Sequence, residues 1–587
     1  MNREEILDGL RRSPKVDVCV IGGGINGISV FRELALQGLN VLLVEKHDYC
    51  SGASAALSRM VHGGLRYLEN GEFKLVQESL VERDRLLRNA PHYVAPLPTT
   101  VPVFDAFSGL GNGIVRFLGL TRRPSRRGAV AIKMGLSIYD FLTCKRAMMP
   151  RHKFRGRRTT LAKWPALNPE IRSSATYYDA WVSHPERLGI ELLDDALLAG
   201  AGAGALNYAD IRAAGPGQFV VRDLVSGRSA AVDPTLIINA TGGWIDITND
   251  TLFSPDARPA TLMGGTKGSH LIIDNAELYD ALAGHMIYYE NEDGRICILF
   301  PYLGKVLVGS TDIRVDDPET VRCEADERDY ILQSLGFVLP GIKIRAEEIS
   351  FQFSGVRPLP TSKDSFTGRI PRDHFCTVVE GRDLGPPVLC MIGGKWTTFR
   401  SFGELAADMA LDRLGRKRRI DTADRTFGGG RSFPKDRSDW LRQLSGATGL
   451  KEDRIATLFT RYGTDAAEIA RFLVAADHAL PPDHALPHAG YSARELIHLI
   501  RSEAVEHLDD LLLRRTTLAI TGELSLDMAD AALAILAAEK GWPPQRAAEE
   551  RTHFLTLLND RHGVSEQTLS ARNEQRSEQC ETSARSG

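Results

Sequence analysis

The chain has 587 residues, 43% of them hydrophobic and 25% charged, which is too long for one core and predicts two or three globular domains. A formal net charge of −3 excludes a dedicated nucleic-acid binder, which would carry a strongly basic domain. The eight cysteines (Cys19, Cys50, Cys144, Cys297, Cys323, Cys376, Cys390 and Cys580) form no C-x-x-C pair, which argues against a zinc site or a disulfide framework, leaves no metal expected and suits a reducing compartment.

Residues 1–15 mix acids and bases without an apolar signal core, and no run of about 18 apolar residues occurs, so the expected location is cytoplasmic or peripheral on the inner membrane face. Val16-Asp17-Val18-Cys19-Val20-Ile21 reads as a strand, residues 22–27 as a tight turn and residues 28–37 as a helix stopped by Gly38. Val41-Leu42-Leu43-Val44 is a second apolar strand, and short apolar strands flanking a helix predict a buried parallel sheet. Residues 106–139 contain no acid, while Arg116, Arg122, Arg123, Arg126, Arg127 and Lys133 are interleaved with Ile114, Val115, Phe117, Leu118 and Leu120. This segment reads either as a face for an anionic bilayer or as a solvated basic loop. Residues 236–242 form another strand ending in a glycine turn, and further strands are expected at 271–273, 296–300 and 305–308. After about residue 415 the composition shifts. Gly428-Gly429-Gly430 and Pro434 read as a linker, residues 440–559 as helices rich in Ala, Leu, Glu and Arg, and the polar residues 563–587 as a disordered tail.

Gly22-Gly23-Gly24-Ile25-Asn26-Gly27 fits G-x-G-x-x-G between a strand and a helix. The glycines permit a tight turn, close approach of backbone to a pyrophosphate and close helix packing, while the helix N-terminus offers free N–H groups. Glu45 ends the next strand, where a carboxylate can accept hydrogen bonds from the adenosine ribose. The motif alone does not distinguish FAD from NAD.

Seven segments, in order along residues 17–402, resemble the FAD-dependent, aerobic glycerol-3-phosphate dehydrogenases. They are Ile21 to Gly27; His62-Gly63-Gly64-Leu65-Arg66-Tyr67-Leu68-Glu69; Asn239-Ala240-Thr241-Gly242; Lys267-Gly268-Ser269-His270; Gly309-Ser310-Thr311-Asp312; Ser354-Gly355-Val356-Arg357-Pro358-Leu359; and Gly393-Gly394-Lys395-Trp396-Thr397-Thr398. Arg514-Arg515-Thr516 resembles that family's C-terminal domain less strongly. The resemblance implies an α/β fold: a Rossmann-like FAD-binding domain with a β-rich substrate-capping domain within residues 1–425, and an all-α domain over 426–562. The FAD-binding segments are expected near 14–75, 185–265 and 350–410. It implies hydride transfer from carbon 2 of sn-glycerol 3-phosphate to FAD, giving dihydroxyacetone phosphate, with electrons passed to a quinone or, in oxidase relatives, to dioxygen. A dye can stand in as acceptor, and a homodimer is left open.

By the same resemblance the cofactor is contacted by Gly22, Gly24, Ile25, Asn26, Gly27, Glu45, Lys46, Ser54, Ser58, Met60, His62, Gly63, Gly64, Ala240, Thr241, Gly242, Gly393, Gly394, Lys395 and Thr397. Arg66, Arg357, Arg372 and Lys395 surround the substrate, with Tyr67 and Thr398 as neutral donors. Arginine suits a phosphate because its planar fork gives paired hydrogen bonds. Removing the hydroxyl proton as hydride leaves calls for a base, for which His270 is the first choice and His62 the rival. Arg357 or Lys395 can also stabilise developing negative charge. The sequence departs from the family at Ala53 (commonly Thr), at Gly243 (usually Pro), at Trp181-Val182-Ser183-His184 and in a long segment 107–127. These departures keep two other readings open: a dehydrogenase of a longer polyol phosphate such as erythritol phosphate, and a flavin-binding scaffold without turnover.

Overall fold

Val18, Val20, Val41, Leu43 and Ile238 are fully buried, as expected of strands covered on both faces. They lie in a sheet ordered Phe375–Val379, Val388–Ile392, Ser229–Asn239, Lys15–Ile21, Val41–Val44 and Ala203–Leu206 in this computed structural model. The model describes residues 3–64, 72–104, 149–200, 202–215, 217–253, 259–315, 317–361, 372–380, 385–477, 480–487 and 490–575. Among these six strands all neighbours are parallel except the outermost pair, Phe375–Val379 with Val388–Ile392, and the strands Gln218–Asp223 and Ala209–Gly215 extend the sheet antiparallel from Ser229–Asn239. The helix Ile25–Leu36 packs between Pro185–Ala199 and Phe399–Arg413 on one face. The expected strands are all present, and that at 236–242 extends back to Ser229.

A second sheet caps the first. Its order is Ile313–Arg314, Thr266–Ile273, Lys305–Gly309, Ile296–Tyr302, Met286–Glu290, Val94–Val103, Ser173–Val182 and Met60–Val61, with Ile349–Arg357 along the other edge of Thr266–Ile273. That pairing sets Gly268 opposite Gly355 and His270 opposite Phe353, so two of the family segments lie side by side.

The C-terminal part is helical: Arg437–Thr448, Glu452–Tyr462, Ala466–Leu473, Ala493–Ser502, a wide turn at Asp510–Arg515, Leu526–Lys540 and Pro544–His562. Its core is continuous with that of the cap sheet, sharing Phe351, Phe353, Leu512, Ile520 and Leu558.

Two expectations are corrected. Gly428, Gly429 and Gly430 are buried rather than forming a free linker, and a Cβ at Gly429 would lie 2.0 Å from the Tyr462 carbonyl oxygen. The absence of side chains serves close packing here. The tail also continues in helix over 566–575, contrary to a disordered reading from 563. Val564 and Leu569 are its buried anchors, and Arg572 donates to the carbonyls of Leu524 and Ser350. Polar composition concealed this helix because one or two apolar residues suffice to dock it. Residues 576–587 and the basic segment 106–139 fall outside the described residues, apart from nothing more than their sequence. Substituting Leu569→Ala should lower stability by about 2–5 kcal/mol, the usual range for a fully buried leucine, measurable as an earlier denaturant midpoint.

Candidate active site

At the end of Lys15–Ile21 the chain turns so tightly that a Cβ on Gly27 would lie 1.9 Å from the Gly22 carbonyl oxygen. The helix that follows has no acidic residue in its first turn and no side-chain cap, so most of its leading N–H groups remain available to an anion. The Ile25 N–H donates to the Ser54 hydroxyl at 2.9 Å. Glu45 accepts from the N–H groups of Gly23 (2.5 Å) and His47 (2.8 Å), while burial pushes its carboxyl pKa up against those bonds.

These residues open onto a cavity of about 250 Å³. Gly22, Gly24, Ile25, Asn26, Glu45 and Ser54 line one side, and Ala240, Thr241 and Gly242 another. Lys46 stands at the rim, largely exposed and 3.7 Å from Glu319. Ala53, where the family commonly has Thr, also lines the cavity and adds no side-chain donor. Asn239 braces the far wall, accepting from the Thr241 hydroxyl at 2.7 Å and donating to Asn249 at 2.9 Å.

The family's other segments converge on a second cluster. His62 is close-packed, its N–H donating to the Thr397 hydroxyl at 3.3 Å, and Gly63 N–H donates to Asp179 at 2.9 Å. Gly64, Gly393 and Gly394 have φ of +79°, +78° and +103°. Lys395 donates to Ser79 at 3.0 Å, and loss of hydration moves its ammonium pKa down to about 7 despite the carboxylate of Glu72. Arg372 faces Lys395 and His62 electrostatically and lies 3.6 Å from Asp312. Asp312 in turn binds Arg357 at 2.9 Å. Burial, with Arg357 and Arg59 nearby, lowers His270 to about 3, so its imidazole is neutral. The result is a continuous path from His270 through Arg357, Asp312 and Arg372 to Lys395 and His62.

Several assignments sharpen. Arg357 donates from Nη1 to Asp312 and the Lys267 carbonyl and from Nη2 to Ser310 and the Thr311 carbonyl. Four of a guanidinium's five N–H groups are thus engaged, which fixes the orientation of the Arg357 fork and its positive charge. Thr398 is not a ready substrate donor: it is buried at the start of Phe399–Arg413 and its hydroxyl donates to the Lys395 carbonyl at 3.4 Å. The Met60 side chain is enclosed in the cap-sheet core, away from the cavity lining. Ser58 is half-buried on the loop leading to that strand. Arg66 and Tyr67 lie outside the described residues. Sequence reasoning gave Asp312 no role, although it lies in a quoted segment; only the ion pairs of the folded chain show that it links two arginines. Behind it, Glu327 accepts from Ser269 (2.8 Å) and Thr311 (2.7 Å) and pairs with Lys267 (2.6 Å), fixing the turn that presents Asp312.

The donor set fits a flavin dinucleotide. Asn26 Oδ1, both His270 ring nitrogens and Trp396 Nε1 are buried without a hydrogen-bond partner among the described residues, and a buried polar atom left so implies a missing partner.

Comparison with known proteins agrees. Residues 17–408 match the family model described as FAD dependent oxidoreductase, and residues 420–547 that described as the C-terminal domain of alpha-glycerophosphate oxidase. A glycerol-3-phosphate dehydrogenase of Synechocystis is 32% identical over 86% of this chain and 89% of its own length. The aerobic glycerol-3-phosphate dehydrogenase of Escherichia coli is 29% identical over 85% of this chain and 93% of its own. The crystal structure of the Bacillus halodurans glycerol-3-phosphate dehydrogenase complexed with FAD superposes with a TM-score of 0.71 at 22% identity, covering 95% of this chain and 97% of that one.

Substituting Gly27→Ala should force the Gly22 turn open and yield a folded but colourless protein, checked by flavin absorbance beside circular dichroism.

Proposed function

The chain belongs to the FAD-dependent glycerol-3-phosphate dehydrogenase family, and on that footing we propose that it oxidises sn-glycerol 3-phosphate at carbon 2 to dihydroxyacetone phosphate and passes the electrons to a quinone. The observation that carries the reading is the path of cations and neutral histidines from His270 to Lys395. FAD, when bound, supplies the hydride acceptor. The glycine turn and the first turn of Ile25–Leu36 would hold its pyrophosphate, Glu45 its ribose, and Gly393 and Gly394 would let the backbone come close to its ring.

Within that frame each side chain has one task. Arg372 and Lys395 hold the substrate phosphate, with Arg66 and Tyr67 of the family segment. The neutral imidazole of His270 takes the hydroxyl proton at Nδ1 or Nε2, neither of which has another partner among the described residues. Arg357, locked by the Asp312 turn, provides positive charge where the alcohol oxygen becomes negative. His62 is less suited to the proton step, since its segment is tied to Thr397 and Asp179.

For the acceptor side, we propose docking on an anionic bilayer. Supporting this, residues 151–163 add a second acid-free basic run, with Arg151, Lys153, Arg155, Arg157, Arg158 and Lys163, and each such residue near the surface contributes about 1 kcal/mol. No helix among the described residues is long and apolar enough to cross a membrane.

Anaerobic addition of glycerol 3-phosphate should bleach the flavin, and erythritol phosphate should do so far more slowly; bleaching by neither ester rejects the assignment. In His270→Asn the bleaching rate should fall by about 10²–10⁴ with flavin content unchanged. Lys395 carries its proton below about pH 7 and loses it above, so KM for the ester should climb as pH rises through that value. Lys395→Arg, which stays charged, should flatten the profile.

A further inference from the structure

Opposite the glycine turn, the cofactor cavity is walled by the loop 45–54. Four contacts join this loop to the turn: Glu45 to Gly23 N–H, Ser54 to Ile25 N–H, Cys50 N–H to the Gly23 carbonyl at 2.9 Å, and Tyr49 packed against Gly23. In the middle of the loop, Asp48 is bound to the helical domain instead. Its carboxylate accepts both Nη groups of Arg515, at 2.7 and 2.8 Å, and Nε of Arg514.

Both arginines are anchored in turn within their own domain. Arg515 donates to the Glu503 carbonyl at 3.0 and 2.8 Å, and Arg514 to Asp509 and Asp510, each at 2.6 Å. Arg187, from the helix Pro185–Ala199, closes the circuit with a two-point contact to Glu503 at 2.9 and 3.0 Å. Asp48 and Arg515 are both inaccessible to solvent, and the arginine pair holds the Asp48 carboxyl down at about 2 although burial acts to raise it. Buried ion networks of this kind add little net stability over an apolar replacement; what they do well is fix a geometry.

We propose that Arg514 and Arg515 are positioning residues for the cofactor: through Asp48 the helical domain braces the 45–54 loop and sets how tightly FAD is held. This assigns the helical domain a part in cofactor retention that is separate from substrate chemistry. The planar fork of Arg515 engages both oxygens of Asp48, which a lysine cannot do.

The test is FAD titration of the apoprotein of wild type, Arg515→Lys, Asp48→Asn and the control Leu536→Ala, a fully buried leucine of the helical domain, with the thermal midpoint of each apoprotein measured alongside. Arg515→Lys and Asp48→Asn should weaken FAD binding roughly tenfold or more. Breaking a buried pair should lower the apo midpoint of both, yet their loss of affinity should exceed that of Leu536→Ala at a matched fall in midpoint, and at saturating FAD the KM for glycerol 3-phosphate should return to the wild-type value. Unchanged FAD affinity in both variants overturns the proposal. So does an affinity loss no greater than that of Leu536→Ala, a failure of both variants to fold, or a raised KM that excess FAD does not restore. A protein that binds FAD normally but oxidises no polyol phosphate would instead contradict the substrate reading and leave this test intact.

Discussion

The fold is organised around one close approach, the Gly22 carbonyl oxygen against the backbone of Gly27 at the start of the helix Ile25–Leu36. A helix can sit this near the end of a strand only where no side chain intervenes, and that nearness aims its leading N–H groups into the cavity. The same helix is buried along nearly its whole length between two others. Its orientation is therefore set by the core rather than by any ligand. Glu45 and Ser54 complete the arrangement by binding the turn's own N–H groups, so the cradle proposed for the pyrophosphate is held in shape by the protein's own hydrogen bonds.

Charge is handled by a different rule at the reacting end. Three cations close together would repel one another and lose hydration, and the protein offsets this with carboxylates of its own. Asp312 lies between Arg357 and Arg372, and Glu72 faces Lys395. The three are not equivalent. Arg357 is fastened by four acceptors and Lys395 has lost much of its preference for a proton, whereas Arg372 keeps a single long contact among those described. On the proposed reading, a dianionic ester entering between Arg372 and Lys395 would meet donors that can turn toward it without dismantling the loop that holds Arg357 in place.

What the sequence disclosed follows from how local each signal is. The dinucleotide turn was legible because strand, turn, helix and terminal acid fall within 30 residues, from Val16 to Glu45, and each has its own pattern. The buried strands were legible for the same reason. Asp312 was not, because its meaning depends on Arg372 and Arg357 reaching it from other segments. Gly428-Gly429-Gly430 misled because glycine serves a free linker and a tight crossing equally well, and only the Tyr462 carbonyl overhead tells them apart. Thr398 reads as an available donor in the sequence, whereas the fold buries it and turns its hydroxyl toward the Lys395 carbonyl. Family segments indicated which residues gather, and the hydrogen bonds show which of them remain free to act.

That division bears on the choice of base. A histidine among cations is a poor proton acceptor in the empty site, since burial and Arg357 disfavour its charged form. In the proposed mechanism a dianionic ester would reverse the balance, its charge offsetting the neighbouring guanidiniums and raising the imidazole's affinity for a proton only when substrate is in place. On the mechanism proposed above, His270 waits neutral and would gain basicity on binding, with two ring nitrogens that have no partner among the described residues to receive the proton. Its ring is kept in position by Phe353, stacked at 5.1 Å between centroids, and by the narrow space above Gly309, so no hydrogen bond has to be broken before the transfer.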